Sequence, residues 1–305
     1  MRSLNEKRDA ERAAWNVPGV TRVENDLLVS PPLGAVVLAS VNPATLLWNR
    51  ATARAVAHLG PPAGRGARTF DLAQLAGLPD PVARYFRFAL TPGQPIIRRA
   101  TLRTEGVFLA RPGGAWSRFT AVQHFAADPP GFVWDARIRM APLMTVRVRD
   151  GYVNGEGSML GRIWGVVPVM DQRGTPELAA GALVRYLAEC AWLPTALLPR
   201  PGLSWAAIDD AAARVRRTDG ATTVTLDVHF APGGEIVRVA AMRHRDVNGV
   251  GALTPWTGGF GEYTRVSGMM IPRRGEVEWG LPDGPMPYWH GRVVDAAYEP
   301  ALSQR

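Results

Sequence analysis

The clearest signal along the chain is alternation. Phe132, Trp134, Ala136, Ile138 and Met140 alternate with Val133, Asp135, Arg137 and Arg139, and a period of two puts one set on a buried face and the other on a solvated one. Met144, Val146 and Val148 repeat the pattern against Thr145, Arg147 and Arg149, then run into Asp150-Gly151, a dipeptide of the hairpin-turn type. These two segments are expected to pair antiparallel. Further strands are expected over Thr101–Leu109, Trp116–Phe125, Tyr152–Gly161, Thr222–Phe230, Ile236–Met242, Thr264–Ile271, Glu276–Gly280 and Gly291–Tyr298, with short turns such as Pro232-Gly233-Gly234 between several of them. Short connections imply antiparallel neighbours, because a parallel crossover needs a dozen or more residues.

The period changes in three places. Asp80-Pro81 supplies an N-cap and a first helical proline, and Val82, Tyr85, Phe86, Ala89 and Leu90 follow at helical spacing. Thr175-Pro176-Glu177 opens a second helix as cap, proline and first-turn acid. Ser204 reads as the cap of a third, running through Trp205, Ile208, Ala212 and Val215. The fold class that follows is α+β: a large curved antiparallel sheet, a half-barrel, with helices covering one face, as a single domain over residues 70–300. A curved sheet under helices encloses either a packed core or a cavity.

Residues 1–69 read as an N-terminal arm. Its first 26 positions mix acids and bases, the wrong flank for a signal peptide, so a cytoplasmic location is expected. Leu27–Asn49 carries no charge but is interrupted by Pro31, Pro32, Gly34, Asn42 and Pro43. Such a stretch suits an arm packed on the main domain, or peripheral contact with a membrane through residues 27–49, better than a spanning helix. The run Gly60-Pro61-Pro62-Ala63-Gly64-Arg65-Gly66 is a linker pattern.

Composition narrows the classes. With 305 residues, 47% hydrophobic and 20% charged, the chain fits neither wholesale disorder nor a multi-span membrane protein. Cys190 is the only cysteine, which rules out an internal disulfide and zinc sites built from several thiolates. The formal net charge of +8 invites an anionic partner. Yet Lys7 is the single lysine and the arginines form no dense block, so nucleic acid is not the expected partner. Arg137, Arg139, Arg147 and Arg149 on alternating positions read as a solvated sheet face, or else as a surface for anions.

Neither metal nor cofactor is expected. His58, His124, His229, His244 and His290 show no ligand spacing; His229 and His244 are placed where neighbouring strands could set them face to face. Gly155, Gly157 and Gly161 miss the dinucleotide fingerprint by one residue and no helix follows, so they read as turn and strand glycines. There is no Walker A sequence, and Ser158 lacks the second glycine of a nucleophile elbow. Burial beside Glu189 should make Cys190 inert.

The second helix raises the functional question. From Leu178 to Cys190 only Arg185 and Glu189 are charged, four apart on one face of a helix apolar almost all round. They form either a buried structural pair or the polar spot of a cavity wall. The segment Ala191–Pro199 has two prolines and, apart from Thr195, no polar side chain; it reads as a buried or cavity-lining loop. Ten tryptophans are many for this length, and an aromatic pocket with few polar groups is how small-ligand sites are built. The glycine-rich Pro255–Tyr263 segment reads as a flap over such a pocket, bringing Trp256, Glu262 and Tyr263.

Arg185-Tyr186-Leu187-Ala188-Glu189, then Trp192 and Pro194-Thr195-Ala196-Leu197-Leu198-Pro199, resemble the signature of an uncharacterised bacterial family, a domain of unknown function. Leu78-Pro79, Pro81-Val82, Arg84-Tyr85, Trp134-Asp135-Ala136-Arg137, Asp150-Gly151-Tyr152, Gly155, Gly157, Pro255-Trp256, Gly268 and Ile271-Pro272 agree with it, so the resemblance covers roughly residues 70–300. Members of that family often begin with a membrane-spanning segment, from which the proline-broken Leu27–Asn49 run departs. The strand order also resembles the half-barrel of bacterial lipoprotein carriers, a likeness of fold alone.

The leading expectation is a protein that binds or carries a mainly apolar or amphipathic, lipid-like small molecule between sheet and helices. Trp134, Trp192, Thr195, Trp256, Glu262 and Tyr263 would form its wall, and Arg185 would meet an anionic head. The alternative is a metal- and nucleotide-independent isomerase, cyclase or hydrolase in the same cavity. There Glu189 is the acid or base, with Arg185 beside it and Tyr186 or Tyr263 as hydrogen-bond donor.

Overall fold

In the computed structural model, which describes residues 43–60, 68–247 and 250–300, the alternating segments join into one antiparallel sheet of 13 strands. The first meander is β1 (Ile97–Leu109), β2 (Trp116–Ala127), β3 (Pro130–Ala141), β4 (Met144–Val153), β5 (Glu156–Ile163) and β6 (Val167–Arg173). The second is β7 (Leu203–Ala207), β8 (Ala212–Asp219), β9 (Thr222–Phe230), β10 (Ile236–Val247), β11 (Val250–Val266), β12 (Met269–Leu281) and β13 (Gly284–Pro300). The last strand, β13, pairs with the first, β1, so the order runs β6-β5-β4-β3-β2-β1-β13-β12-β11-β10-β9-β8-β7. β3 and β4 pair antiparallel with Trp134 opposite Asp150.

A helix crosses between the meanders. It packs against β3, β4 and β5 of one and against β9 and β10 of the other, so the sheet curls round it from both sides. This helix, the third α-helix among the described residues, spans Pro176–Glu189. To keep numbering in chain order, α1 is Pro43–Ala57, α2 is Asp80–Ala89 and α3 is Pro176–Glu189. Thr175 caps α3, its Oγ1 accepting from the Leu178 N–H at 3.2 Å, and 3-10 turns at Cys190–Trp192 and Pro194–Leu197 follow it. Tyr152 donates to Asp219 across 2.8 Å, tying β4 to the end of β8 where the two arms of the sheet approach each other. The shared core runs from Phe125, Phe132 and Tyr152 through Leu183 and Leu187 to Leu226 and Phe230. α2 adds Val82, Tyr85, Phe86 and Ala89 to it.

Several expectations change in three dimensions. The helix proposed after Ser204 is two strands, β7 and β8: Ala213, Val215 and Arg217 are buried while Arg214 and Arg216 are exposed, a period of two. Asp150-Gly151 is not a turn but lies within β4, paired with Met159 and Ser158 of β5; the chain reverses at Asn154-Gly155, whose φ values of 53° and 80° suit the paired left-handed positions of a tight hairpin. The segment read as one strand over Thr264–Ile271 breaks at Ser267-Gly268, both at positive φ. Pro255–Tyr263 is no flap: it lies within β11, hydrogen-bonded to β10 and β12 on either side. β6 has no counterpart among the strands expected from the alternation. His229 and His244 do not face each other, since their sheet partners are Ala212 and Arg238 for one and Leu253 for the other.

The helices do not share one face. The α1 residue Trp48 donates to both carboxylate oxygens of Asp135 at 3.0 and 3.1 Å, and Asp135 points away from the face carrying Trp134 and α3. Arg147 and Arg149 hold their guanidinium carbons over the Trp48 ring at 5.3 and 4.9 Å, and Arg147 pairs with Asp135 at 3.1 Å. This part of the arginine face is therefore covered by α1 rather than solvated. Residues 1–42 and 61–67, which hold the charged segment, most of the Leu27–Asn49 run and most of the linker, lie outside the described residues. Among the described residues no helix is long and apolar enough to cross a membrane.

Contact between α3 and the sheet is set by Gly157 of β5, where an added Cβ would stand 2.5 Å from the Leu178 carbonyl oxygen and 2.8 Å from the Ala179 nitrogen. Both obstacles are helix backbone and cannot rotate away. Gly157→Ala should therefore lower stability by about 1–3 kcal/mol, the usual range for overpacking, read as a reduced urea midpoint at unchanged slope. An unshifted midpoint would show that α3 does not rest on β5 here.

Candidate functional site

Where α3 crosses the concave face it does not fill it. Gly181, Ala182 and Ala188 face the sheet on this side of the helix, and their small side chains leave a cavity of about 1060 Å³. One wall is Trp134, Ile138, Val146 and Val148 from β3 and β4; the other is Trp256, Phe260, Val277 and Trp279 from β11 and β12. Exposed residues at its edge, Arg111, Pro112, Arg173 and Glu177, mark an opening to solvent. The volume matches the upper end of small-molecule sites.

The polar part of the cavity begins as a row across the sheet. Gln123 of β2 is opposite Trp134 of β3, which is opposite Asp150 of β4, so all three project toward α3. Arg185 reaches this row: Nη1 donates to Asp150 Oδ2, Nε donates to Glu189 Oε1 at 2.8 Å, and the guanidinium lies 5.0 Å over the Trp134 ring and 4.9 Å over Phe132. Gln123 Nε2 donates to the other Glu189 oxygen at 2.6 Å. Burial alone would make Arg185 easier to deprotonate, but the charges of Glu189 and Asp150 outweigh it and hold the guanidinium above its ordinary pKa. One cation faces two carboxylates here, which leaves little room for an anionic ligand head.

A second polar feature lies one helical turn nearer the α3 N-terminus. Arg243 of β10 donates through Nε to the Gly181 carbonyl at 2.9 Å and through Nη1 to the Tyr288 hydroxyl at 3.4 Å. Its guanidinium sits 5.4 Å from the Trp256 ring centre and 5.8 Å from that of Trp279. Trp256 Nε1 donates to the same Tyr288 oxygen at 2.8 Å, and Tyr288 stacks on Trp279.

The far end of the aromatic wall rests on glycines. Gly106, Gly291 and Gly275 are neighbours on β1, β13 and β12. A Cβ at Gly291 would strike the Trp289 ring at 2.2 Å, and one at Gly275 would stand 3.1 Å from Trp192. Only bare backbone lets both indoles lie so close to the sheet. Trp192 is anchored by a 3.0 Å bond to the Pro272 carbonyl, and Trp289 stacks on Phe119.

Of the residues singled out from sequence, Trp134, Arg185, Glu189, Trp192 and Trp256 are brought together on the cavity wall. Four are not. Tyr186 points to the other side of α3, donating to the Ala126 carbonyl at 3.0 Å, and burial raises its pKa well above the ordinary tyrosine value. Thr195 is fully buried with its hydroxyl on the Ile97 carbonyl at 3.1 Å. Tyr263 donates to the Ile236 carbonyl at 2.7 Å and packs edge-on against Phe88, while Glu262 pairs with Arg292 at the exposed surface. Burial pushes the Cys190 thiol up to about 12, so it is no nucleophile.

Sequence reasoning missed Gln123, Asp150, Arg243, Tyr288, Trp279 and Trp289. For Gln123 and Asp150 a signal existed: each is a polar residue at an inward position of an alternating strand, after Phe119 and Ala121 in one case and Val146 and Val148 in the other. For Arg243 and Tyr288 nothing in the local pattern marks them, because their meeting depends on strands 45 residues apart.

No curated protein matches the chain. Among solved structures it is similar to a LolA superfamily protein from Nitrosomonas europaea, at 10% identity and a TM-score of 0.34, over 72% of this chain and 92% of that one. It is also similar to a beta-barrel-like protein of the domain of unknown function DUF1849 from Brucella abortus, at 10% identity and a TM-score of 0.26, over 67% and 98%. The model of a family of unknown function, DUF6544, matches residues 68–291, and the chain belongs to that family.

Proposed function

We propose that the protein binds a mainly apolar, lipid-like small molecule in the cavity between α3 and the concave sheet. The observation that carries this reading is the cavity itself: about 1060 Å³ walled chiefly by indole and aliphatic groups and bordered by exposed residues. Side chains lining an unfilled apolar space forgo dispersion contacts on one side, and a ligand that supplies them stabilises the folded state by mass action. The glycine row that lets Trp192 and Trp289 lie flat costs conformational entropy in the strands, which suits a surface kept clear for something else to touch.

A second reading adds turnover in the same cavity, with Glu189 as the acid or base of an isomerase, cyclase or hydrolase. One observation favours it. Between Gly181 and Cys190 only Arg185 and Glu189 are not buried, and both line the cavity.

Protein purified without detergent is expected to carry a discrete apolar adduct in native mass spectrometry, identifiable after organic extraction. Ala182→Phe, which fills the cavity from α3, should abolish the adduct while far-UV circular dichroism stays native-like. A clean mass for the wild type, together with no quenching of tryptophan fluorescence by long-chain alcohols, would sink the binding reading. For the second reading, Glu189→Gln keeps the shape and removes the charge. Once a turnover assay exists, it should slow the reaction by about 10²–10⁴-fold, and an unchanged rate would remove Glu189 from the chemistry.

A further inference from the structure

We propose that Arg243 and Tyr288 bind the oxyanion headgroup, a carboxylate or a phosphate, of an amphiphile whose chain lies in the cavity; this rests on the binding reading above and assigns the ligand its charged end. Of the arginines that line the cavity, the two bonded to α3 itself, Arg185 and Arg243, are in opposite states. Arg185 is compensated twice over by Asp150 and Glu189. Arg243 has no carboxylate in ion-pair contact among the described residues; its neighbours are a backbone carbonyl, a hydroxyl and two indole faces. None of these cancels a full positive charge, so a half-buried cation is left facing a largely apolar space, which is costly unless an anion joins it.

The hydrogen-bond count at Tyr288 points the same way. Its oxygen accepts from Trp256 Nε1 at 2.8 Å and from Arg243 Nη1 at 3.4 Å. With both lone pairs engaged, the hydroxyl can act toward a third partner only as a donor, and no described residue accepts its proton. Arg243 Nη2 likewise donates to no described residue. The site thus offers converging donors and no acceptor, the arrangement that suits a carboxylate or phosphate oxygen. Contact with the neighbouring Trp256 and Trp279 rings and the bond to the Gly181 carbonyl restrict the guanidinium, so little side-chain entropy remains to be lost on binding.

Nearby charges do not reverse this. Arg245 lies two residues further along β10 and Arg111 and Arg173 stand at the rim, with Asp171 paired to Arg173. Glu177, also at the rim, is exposed and makes no ion pair with Arg243. From the headgroup the chain would run past Trp279, Val277 and Phe260 toward Trp192. The Arg185 group, with its two carboxylates, is the place an anion avoids.

The test compares dodecanoate, dodecyl phosphate and dodecanol on the full-length protein at pH 8 and low salt, following tryptophan fluorescence. At least one of the two anions should bind tenfold or more tightly than dodecanol. Arg243→Gln and Tyr288→Phe should collapse that ratio toward one, and Arg243→Lys should retain part of it. Circular dichroism and binding of dodecanol itself report whether each variant is folded. If dodecanol binds as well as both anions, or if the preference survives Arg243→Gln, the headgroup assignment is overturned and the cavity reading stands. A preference that disappears in Arg185→Gln but not in Arg243→Gln would overturn it too, by moving the anion to the other arginine. Failure of all three compounds to bind would bring down both readings together.

Discussion

Arg185 carries its charge into the concave face of the sheet, between Asp150 of β4 and Glu189 one turn further along its own helix. A charge in that position is tolerated only with its partners in place, since removing either would leave the others buried and unmatched. The group therefore sets the rotation of α3 about its axis. With Arg185 and Glu189 held on Gln123, Trp134 and Asp150, Leu183, Tyr186 and Leu187 must turn into the core, and Gly181, Ala182 and Ala188 must face the remaining space. Net stabilisation from such a buried network is small; its effect is on which arrangement forms.

From that rotation the rest of the cavity follows. Small residues on the inner ridge of α3 leave space unfilled between helix and sheet, and the two arms of the sheet close on the helix from β3–β5 and from β9–β10. The space left over is walled by indoles that differ in their supports. Trp134 lies under a guanidinium, Trp192 hangs from the Pro272 carbonyl, Trp256 from Tyr288, and Trp289 lies over a glycine row. Rings anchored in this way present a fixed apolar surface, which a ligand can meet without first ordering it. Along the same helix the polar character changes sign within one turn, from the uncompensated Arg243 against Gly181 to the doubly compensated Arg185. A cavity with one cationic and one acidic end orients whatever enters it.

The opposite face of the sheet answers to different physics. There Trp48 of α1 lies against Arg147 and Arg149 and bonds Asp135, a patch where alternation alone suggested open solvent. The strand residues Asp135, Arg147 and Arg149 are polar as an outward face should be, yet a helix from outside the sheet covers them. Periodicity reports which side a residue takes, not what later settles upon it.

What the sequence determined by itself was local: strands wherever the period was two, the start of α2 at Asp80-Pro81, where Asp80 is a first-turn acid rather than a cap, the Thr175-capped start of α3, antiparallel neighbours through short turns, and an Arg185–Glu189 pair on one helical face. Each rests on contacts within a few residues. The errors also share a cause. Ser204, Asp150-Gly151 and Pro255–Tyr263 carry residues whose short-range preferences favour a cap, a turn and a loop, and ladder pairing with the flanking strands overrides those preferences. Only the tertiary structure decided that Asp150 would meet Arg185 and Gln123 would meet Glu189, that Tyr186 would face away from them, and that Arg243 would find Tyr288. Those meetings depend on the order in which the strands line up and on how sharply the sheet curls round α3, and both are set by packing among residues far apart along the chain.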